Sequence, residues 1–273
     1  MKTLGVINLN SSIIAEFDPL KPVISVPLFT LSIGKVQIIV SNHMFVTAIA
    51  TLLLLVVVIF ATRSKKMVPS GLQNLVESIC VFLREEVAKP VLGGNTDQYI
   101  GFVWTVFFFI LSLNLLAMIP TEKIIYMLTG KENHFGGPAT ANIWITGAMA
   151  VITFFLTHIA GIRKHGFLKY LASLAPTVPW WIMPFIYFLE IISALVKPFT
   201  LAIRLFANMI AGHVLLATSI GLILVFKNYG VAVVSILSDL AFSFLELFVA
   251  FLQAYIFTLL STIYIGSSIA SEH

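Results

Sequence analysis

Two long apolar stretches of the sequence, 180–226 and 231–268, contain polar and ionisable side chains that are costly to place in hydrocarbon. An arginine at the centre of a bilayer costs between about 3 and about 17 kcal/mol, so residues of this kind are usually functional. Carboxylate and imidazole groups relay protons through water, whereas an arginine, with a pKa above about 12, releases none. We therefore predict a proton path interrupted by a permanent charge, formed by Glu190, Arg204, Asn208, His213, Asp239, Glu246 and Gln253.

The spacing of these residues predicts two facing pairs. Only the short segment 227–230 separates the two stretches, which favours an antiparallel helical hairpin that turns near Asn228. Folding the hairpin there sets Arg204 level with Gln253 and His213 level with Glu246.

Helical angles indicate that the arginine and the histidine face different surroundings. Because an α-helix turns by about 100° per residue, Glu190 and Asn208 each lie about 40° from Arg204, and His213 lies about 180° away. On the second helix, Asp239 recurs with Glu246 and Gln253 at every seventh position and forms one stripe that can line a wet crevice. An arginine between two groups of relay residues predicts two offset half-channels.

The composition identifies the environment of these helices. Hydrophobic residues make up 59% of the chain and charged residues only 10%, against about 25% in ordinary soluble domains. The net charge of +4 comes from short basic clusters beside apolar runs and not from a basic stripe, which argues against a nucleic-acid partner. The single cysteine, Cys80, excludes an internal disulfide and a cysteine-based metal site. No P-loop motif occurs, so we expect no bound nucleotide and no cofactor or metal.

We expect an all-α integral membrane protein in which residues 41–273 form a single membrane domain. Apolar runs predict three ordinary spans, over about 42–62, 99–119 and 143–162. A helix over about 70–90 has apolar and polar sides and should lie in the interface. The two longest stretches, at about 1.5 Å per residue, exceed a core of about 30 Å, so each helix breaks, with Pro184 and Pro198 as candidate kinks, or both form a steeply tilted hairpin.

Basic clusters predict the orientation. Residues 63–66 and 163–169 both follow a span, and the positive-inside rule places both clusters on the inner side. The N-terminus is then outside, with residues 1–40 as a retained, mostly non-helical arm, and the C-terminus is inside. Arg204 and Gln253 fall near mid-membrane, the His213 region falls in the outer half, and Glu190 falls in the inner half.

Two segments resemble the signature of subunit a of F-type ATP synthases. These are KPFTLAIRLFANMIAGH, residues 197–213, and FLQAYIFTLLSTIYI, residues 251–265. The resemblance extends from about residue 40 to the C-terminus and includes Asn42, His43, Met44, Asn114, Leu115 and Pro120.

The resemblance implies a role for six of the candidate residues. It gives Arg204 the place of the family's essential arginine, Gln253 that of its glutamine partner and Asn208 that of a channel-lining asparagine. It makes Glu190 the carboxylate of the inner half-channel. His213 and Glu246 take the place of the outer-channel pair, in the arrangement of mitochondrial and alphaproteobacterial members; enterobacterial members have the acid and the histidine exchanged. Asp239 is assigned from geometry alone.

The resemblance also implies a function and partners. The expected protein is a non-catalytic stator subunit that delivers protons to a rotating ring of c subunits, which supplies the surface for the tilted hairpin. Further expected partners are the b subunit of the peripheral stalk and the lipid bilayer of a bacterial inner membrane or, alternatively, a mitochondrial inner membrane. A secondary ion-coupled transporter is the alternative function, but it predicts an internal repeat that the sequence lacks. An intramembrane hydrolase using Ser243 and His213 would need an elbow motif around the serine, which is absent.

Overall fold

The computed structural model describes residues 24–33, 36–63, 71–130, 136–173, 179 and 181–270. Most of these residues are helical, and the class predicted from the sequence, an all-α integral membrane protein, is confirmed. The predictions for residues 1–23 and for the basic residues Lys65 and Lys66 lie outside the described residues.

The long helices follow the predicted apolar runs. The strands are β1 (Pro27–Ile33) and β2 (Val36–Ser41), and the helices are α1 (Asn42–Arg63), α2 (Leu72–Phe82), α3 (Lys89–Leu92), α4 (Thr96–Ala117), α5 (Thr121–Thr129), α6 (Ile143–His165), α7 (Phe167–Ser173), α8 (Met183–Phe226) and α9 (Tyr229–Ile269). In the described part of the chain, α1, the helical run Leu72–Ala117, α6, α8 and α9 are long and apolar enough to cross a membrane.

The predicted interfacial helix and the second span are joined by helical turns. A π-helical turn, Leu83–Ala88, follows α2, and a 3₁₀ turn, Gly93–Asn95, precedes α4. Gly93 has φ +54°, a conformation that favours glycine, and it marks the boundary between the two predicted elements. The position of α2 in the interface stays a prediction.

Two strands and two short helices were not predicted. The arm before α1, predicted only to be mostly non-helical, contains β1 and β2, which pair as an antiparallel hairpin because its β-branched residues favour strands. Pro120 ends the second span but also precedes α5, since proline is tolerated at a helix start. Gly166, with φ +81°, turns the chain from α6 into α7.

The two hairpin helices are continuous, so the interpretation in which each helix breaks is wrong. Pro184 lies in the first turn of α8, where its missing N–H is not needed, and α8 continues through Pro198. Lys227 ends α8 in the left-handed region with φ 46°. Asn228 then caps α9 by accepting a hydrogen bond from the Gly230 N–H at 2.8 Å, so the turn lies where the sequence predicts it.

The hairpin packs against α4 and α6 through one apolar cluster. Leu201 and Leu205 of α8 belong to it together with Ala254 and Phe257 of α9. Buried residues of α4, among them Ile110, complete the cluster. Near the hairpin turn, the Ser219 hydroxyl donates to the Ser235 carbonyl at 3.4 Å, which fixes the register of α8 against α9.

This register predicts a selective cross-link. Ser219→Cys with Ser235→Cys, in a Cys80→Ser background, should form a disulfide under mild oxidation because the two positions face each other. The matched pair, Thr218→Cys with Ser235→Cys, should not, because Thr218 is exposed and its hydroxyl donates to its own helix. Peptide mass spectrometry without reductant measures both, and equal yields would contradict the register.

Candidate functional site

A polar cavity of about 370 Å³, the His213 cavity, lies towards the turn of the hairpin. Helix α8 contributes His213, and α9 contributes Asp239, Ser243 and Glu246. The segment after α4, including Pro120, and the segment before α6 form the remaining wall. The structure thus brings together three of the seven predicted site residues.

His213 and Glu246 face each other across the hairpin, as the sequence predicts. The distance from His213 Nε2 to Glu246 Oε1 is 3.9 Å, and the side chains are 15% and 10% exposed. Gly212 permits this approach, because a Cβ atom there would lie 2.7 Å from Glu246 Oε1. The missing side chain at Gly212 therefore leaves room for Glu246 beside His213.

The buried polar atoms of this cavity require partners. His213 Nε2, Asp239 Oδ1 and Glu246 Oε1 are buried without a hydrogen-bond partner among the described residues. Unpaired buried polar atoms are costly, and polar cavities of this size hold water that satisfies them. The arrangement can therefore hold a short chain of water between titratable groups. Asp239, assigned from geometry alone, lies within it.

A second polar cavity of about 310 Å³, the Glu190 cavity, lies at the opposite end of the hairpin. Its walls come from α6, α7, the first half of α8 and the end of α9, and its polar lining residues are Thr153, Thr157, His158, Tyr170, Glu190, Lys197, Tyr264, Ser267 and Ser268. Of the predicted site residues, only Glu190 lines it.

Glu190 has a basic partner in this cavity. Lys197 Nζ lies 3.9 Å from Glu190 Oε1, and both side chains are about two-fifths exposed. The same ammonium lies 5.8 Å from the centroid of the Tyr264 ring, within cation–π range. An ion pair this exposed contributes little to the stability of the fold.

Arg204 lies between the cavities along α8 and lines neither. Leu201 still lines the Glu190 cavity, and His213 begins the lining of the other. On an ideal helix, Glu190 and His213 point about 140° apart, so the cavities open on different faces of α8. No carboxylate in the described ranges lies within ion-pairing distance of Arg204, which is half-buried.

Asn208 and Gln253 also lie outside the cavities. Asn208 is half-buried one turn after Arg204, and Gln253 is only 4% exposed with its Nε2 atom unpartnered among the described residues. Leu205, which follows Arg204, and Ala254, which follows Gln253, both belong to the apolar cluster of the hairpin. The structure records no hydrogen bond between Arg204 and Gln253 in the parts that it describes.

Two residues of the site region, Asn114 and His158, were given no role in the proton path from the sequence. Asn114 is fully buried and donates to the Ala250 carbonyl at 3.3 Å, while it accepts from the Thr140 hydroxyl at 3.2 Å. This network ties α4 to α9 one turn before Gln253. His158 of the Glu190 cavity was also missed, although an imidazole inside a predicted span is itself a signal of function.

Comparison with known proteins identifies the family. The family model described as ATP synthase A chain matches residues 44–266. This chain belongs to the ATP synthase A chain family. The match contains all seven predicted site residues, and it confirms the resemblance seen in the two sequence segments.

Individual relatives agree with this assignment. The chain is 40% identical over 247 residues to ATP synthase subunit a of Anaeromyxobacter sp. (strain Fw109-5), covering 88% of this chain but 57% of that protein. It is 37% identical over 265 residues to the Chloroherpeton thalassium subunit a, covering 94% and 74% of the two chains. For subunit a 2 of Prosthecochloris aestuarii, the identity is also 37%, over 95% and 76%.

The two cavities predict where water reaches the hairpin. In a Cys80→Ser background, Ser243→Cys and Ala194→Cys should react with a charged, membrane-impermeant thiol reagent from opposite sides of the membrane, because reaction requires a hydrated thiolate. Phe244→Cys is the control, since Phe244 is 68% exposed on the apolar surface and should not react. Labelling of both cavity positions from one side, or equal labelling of the control, would contradict two separate cavities.

Proposed function

We propose that this chain is the stator proton-channel subunit of an F-type ATP synthase, with two offset half-channels that serve a rotating ring of c subunits. One observation carries the proposal: two polar cavities lie at opposite ends of the hairpin, and Arg204 lies between them and lines neither. Membership of the ATP synthase A chain family supports it.

The His213 cavity serves as the outer half-channel. Protons from the outer water reach His213, Asp239 and Glu246, and Glu246 passes a proton to a carboxylate of the rotor. A buried histidine beside a carboxylate suits this step, because both groups can accept and release protons. The Glu190 cavity serves as the inner half-channel and receives the proton after the ring has turned.

Arg204 separates the two half-channels. Its guanidinium stays charged, so a proton cannot pass along α8 from one cavity to the other. Arg204 has no carboxylate partner in the described chain, and we assign this partner to the rotor. Attraction to Arg204 favours the ionised rotor carboxylate, which releases its proton to one cavity before it takes another from the other cavity. Asn208 lies one helical turn after Arg204, and Gln253 is predicted to lie level with Arg204 on the facing helix. Both residues orient the groups that meet at this exchange point.

The chain performs no nucleotide chemistry in this proposal. Other subunits of the complex make ATP, and this subunit couples proton flow to rotation. The N-terminus lies outside and the C-terminus inside a bacterial inner membrane. Helix α2, with its exposed apolar and polar residues, contacts the b subunit or the lipid surface.

Replacement of the arginine tests the proposal. Arg204→Ala should reduce ATP synthesis driven by a proton gradient in membrane vesicles by about 100-fold or more, because the electrostatic separation of the half-channels is lost. Thr200→Ala, one turn earlier on the same helix and exposed, should retain synthesis within about two-fold. Unchanged synthesis in Arg204→Ala, with normal assembly of the complex, would refute the assignment.

Exchange of the facing pair tests the outer half-channel. His213→Glu combined with Glu246→His should retain several-fold more proton-driven synthesis than either single variant, because the exchange preserves one acid and one imidazole in the same cavity. The three variants are compared in vesicles containing equal amounts of assembled complex. An equal loss in all three would show that the two residues do not act as a pair.

A further inference from the structure

The Glu190 cavity contains a titratable group that the proposed function does not use. His158 lies on α6, inside a helix long and apolar enough to cross the membrane, and it lines the wall opposite Glu190 and Lys197. An imidazole inside such a helix is costly to retain without a role.

Tyr170 holds this imidazole in a fixed orientation. His158 Nδ1 lies 2.6 Å from the Tyr170 hydroxyl, and the His158 ring packs edge-on against Phe154 with centroids 4.2 Å apart. Tyr170 is itself buried and lies on Gly161, where a Cβ atom would overlap the tyrosine ring. Contacts within α6 and between α6 and α7 therefore fix this side chain.

The hydrogen bond leaves the imidazole able to accept a proton. When Nδ1–H donates to the Tyr170 oxygen, Nε2 is the atom that remains as an acceptor. After Nε2 is protonated, Nδ1–H still donates to the same oxygen, so the bond persists in both charge states. Burial, followed by the charge of Glu190, raises the pKa of Tyr170, so the phenol keeps its own proton.

The charges that face His158 come from every wall of the cavity. Lys197 and Glu190 lie on α8, Tyr170 lies on α7, and Tyr264 lies on α9. Lys197 and Glu190 carry opposite charges and are only 3.9 Å apart, so the imidazole shares the cavity with charges of both signs.

We propose that His158 is a second proton acceptor of the inner half-channel, positioned by Tyr170, which takes protons from Glu190 through cavity water and passes them to the inner solution. The proposal rests on the proposed function. In the transfer, the O–H bond of protonated Glu190 breaks and an N–H bond forms at Nε2 through an intervening water. Glu190 is left as a carboxylate beside Lys197, and the imidazolium then returns the proton to water on the inner side.

A pH series distinguishes this role from a structural one. His158→Asn keeps a hydrogen-bonding group near the Nδ1 position but cannot titrate. Synthesis driven by an imposed gradient is measured in inverted vesicles that contain the complete complex, with the outer buffer setting the pH of the inner face. The rate relative to wild type at each pH cancels the pH dependence of the catalytic subunits.

The expected ratio falls as the pH rises. At the acid end of the series, once the pH falls low enough to protonate His158, the imidazole is idle in the wild type and the ratio should approach 1. At about pH 8 the wild type uses neutral His158 as an acceptor, so the ratio should be lower by about 3- to 10-fold. Tyr170→Phe, which keeps the ring on Gly161, should show a smaller fall over the same pH range.

The controls separate the possible failures. His165→Asn, at the last turn of the same helix and outside the cavity, should give a ratio near 1 at every pH. A pH-independent loss in His158→Asn, or no loss, would overturn the proposal. If the complex with His158→Asn assembles poorly, the same series is measured with His158→Gln. If Glu190→Gln reduces synthesis while His158→Asn behaves like wild type, only the His158 proposal fails. If Arg204→Ala also leaves synthesis intact, the proposed function itself fails.

Discussion

The cost of placing a charge in hydrocarbon constrains this protein more than any other factor. Arg204, Glu190 and the His213–Glu246 pair all lie on helices that are otherwise mostly apolar. Such groups persist only where water or an opposite charge reaches them. The structure supplies that environment as two polar cavities, one at each end of the hairpin. Arg204 lines neither and has no acidic partner in the described chain, so in our account its partner must come from another subunit.

Close packing within the hairpin turns this constraint into a specific geometry. Gly212 lets α8 approach α9 where Glu246 meets His213, and the Ser219–Ser235 hydrogen bond fixes the register beside the turn. The apolar cluster that contains Leu205 and Ala254 fills the hairpin at the level of Arg204. This packed segment separates the cavities. In the proposed function, a proton that enters one cavity does not pass through this chain to the other, and the moving ring completes the path.

The sequence predicted the hairpin site better than the surrounding structure, for a physical reason. Once the turn at Asn228 is known, helical geometry alone places His213 opposite Glu246, and the structure agrees. The Glu190 cavity depends instead on contacts between distant segments, such as Tyr170 on Gly161 and Ser268 bonded to the Thr157 carbonyl. No local sequence pattern predicts these contacts. The short helices α5 and α7 were missed because glycine and proline, which ended the preceding helices, also allowed new ones to begin.

Proton flow through a complex with an immobilised rotor tests the central claim most directly. Vesicles containing the complete membrane sector are compared before and after the ring of c subunits is cross-linked to this chain, and a membrane potential drives the protons. If the two cavities are separate half-channels, flux should fall to the background of empty vesicles on cross-linking and return when the cross-link is reduced. Flux that continues at its original rate with a fixed ring would show that this chain holds a continuous path, and would contradict the account.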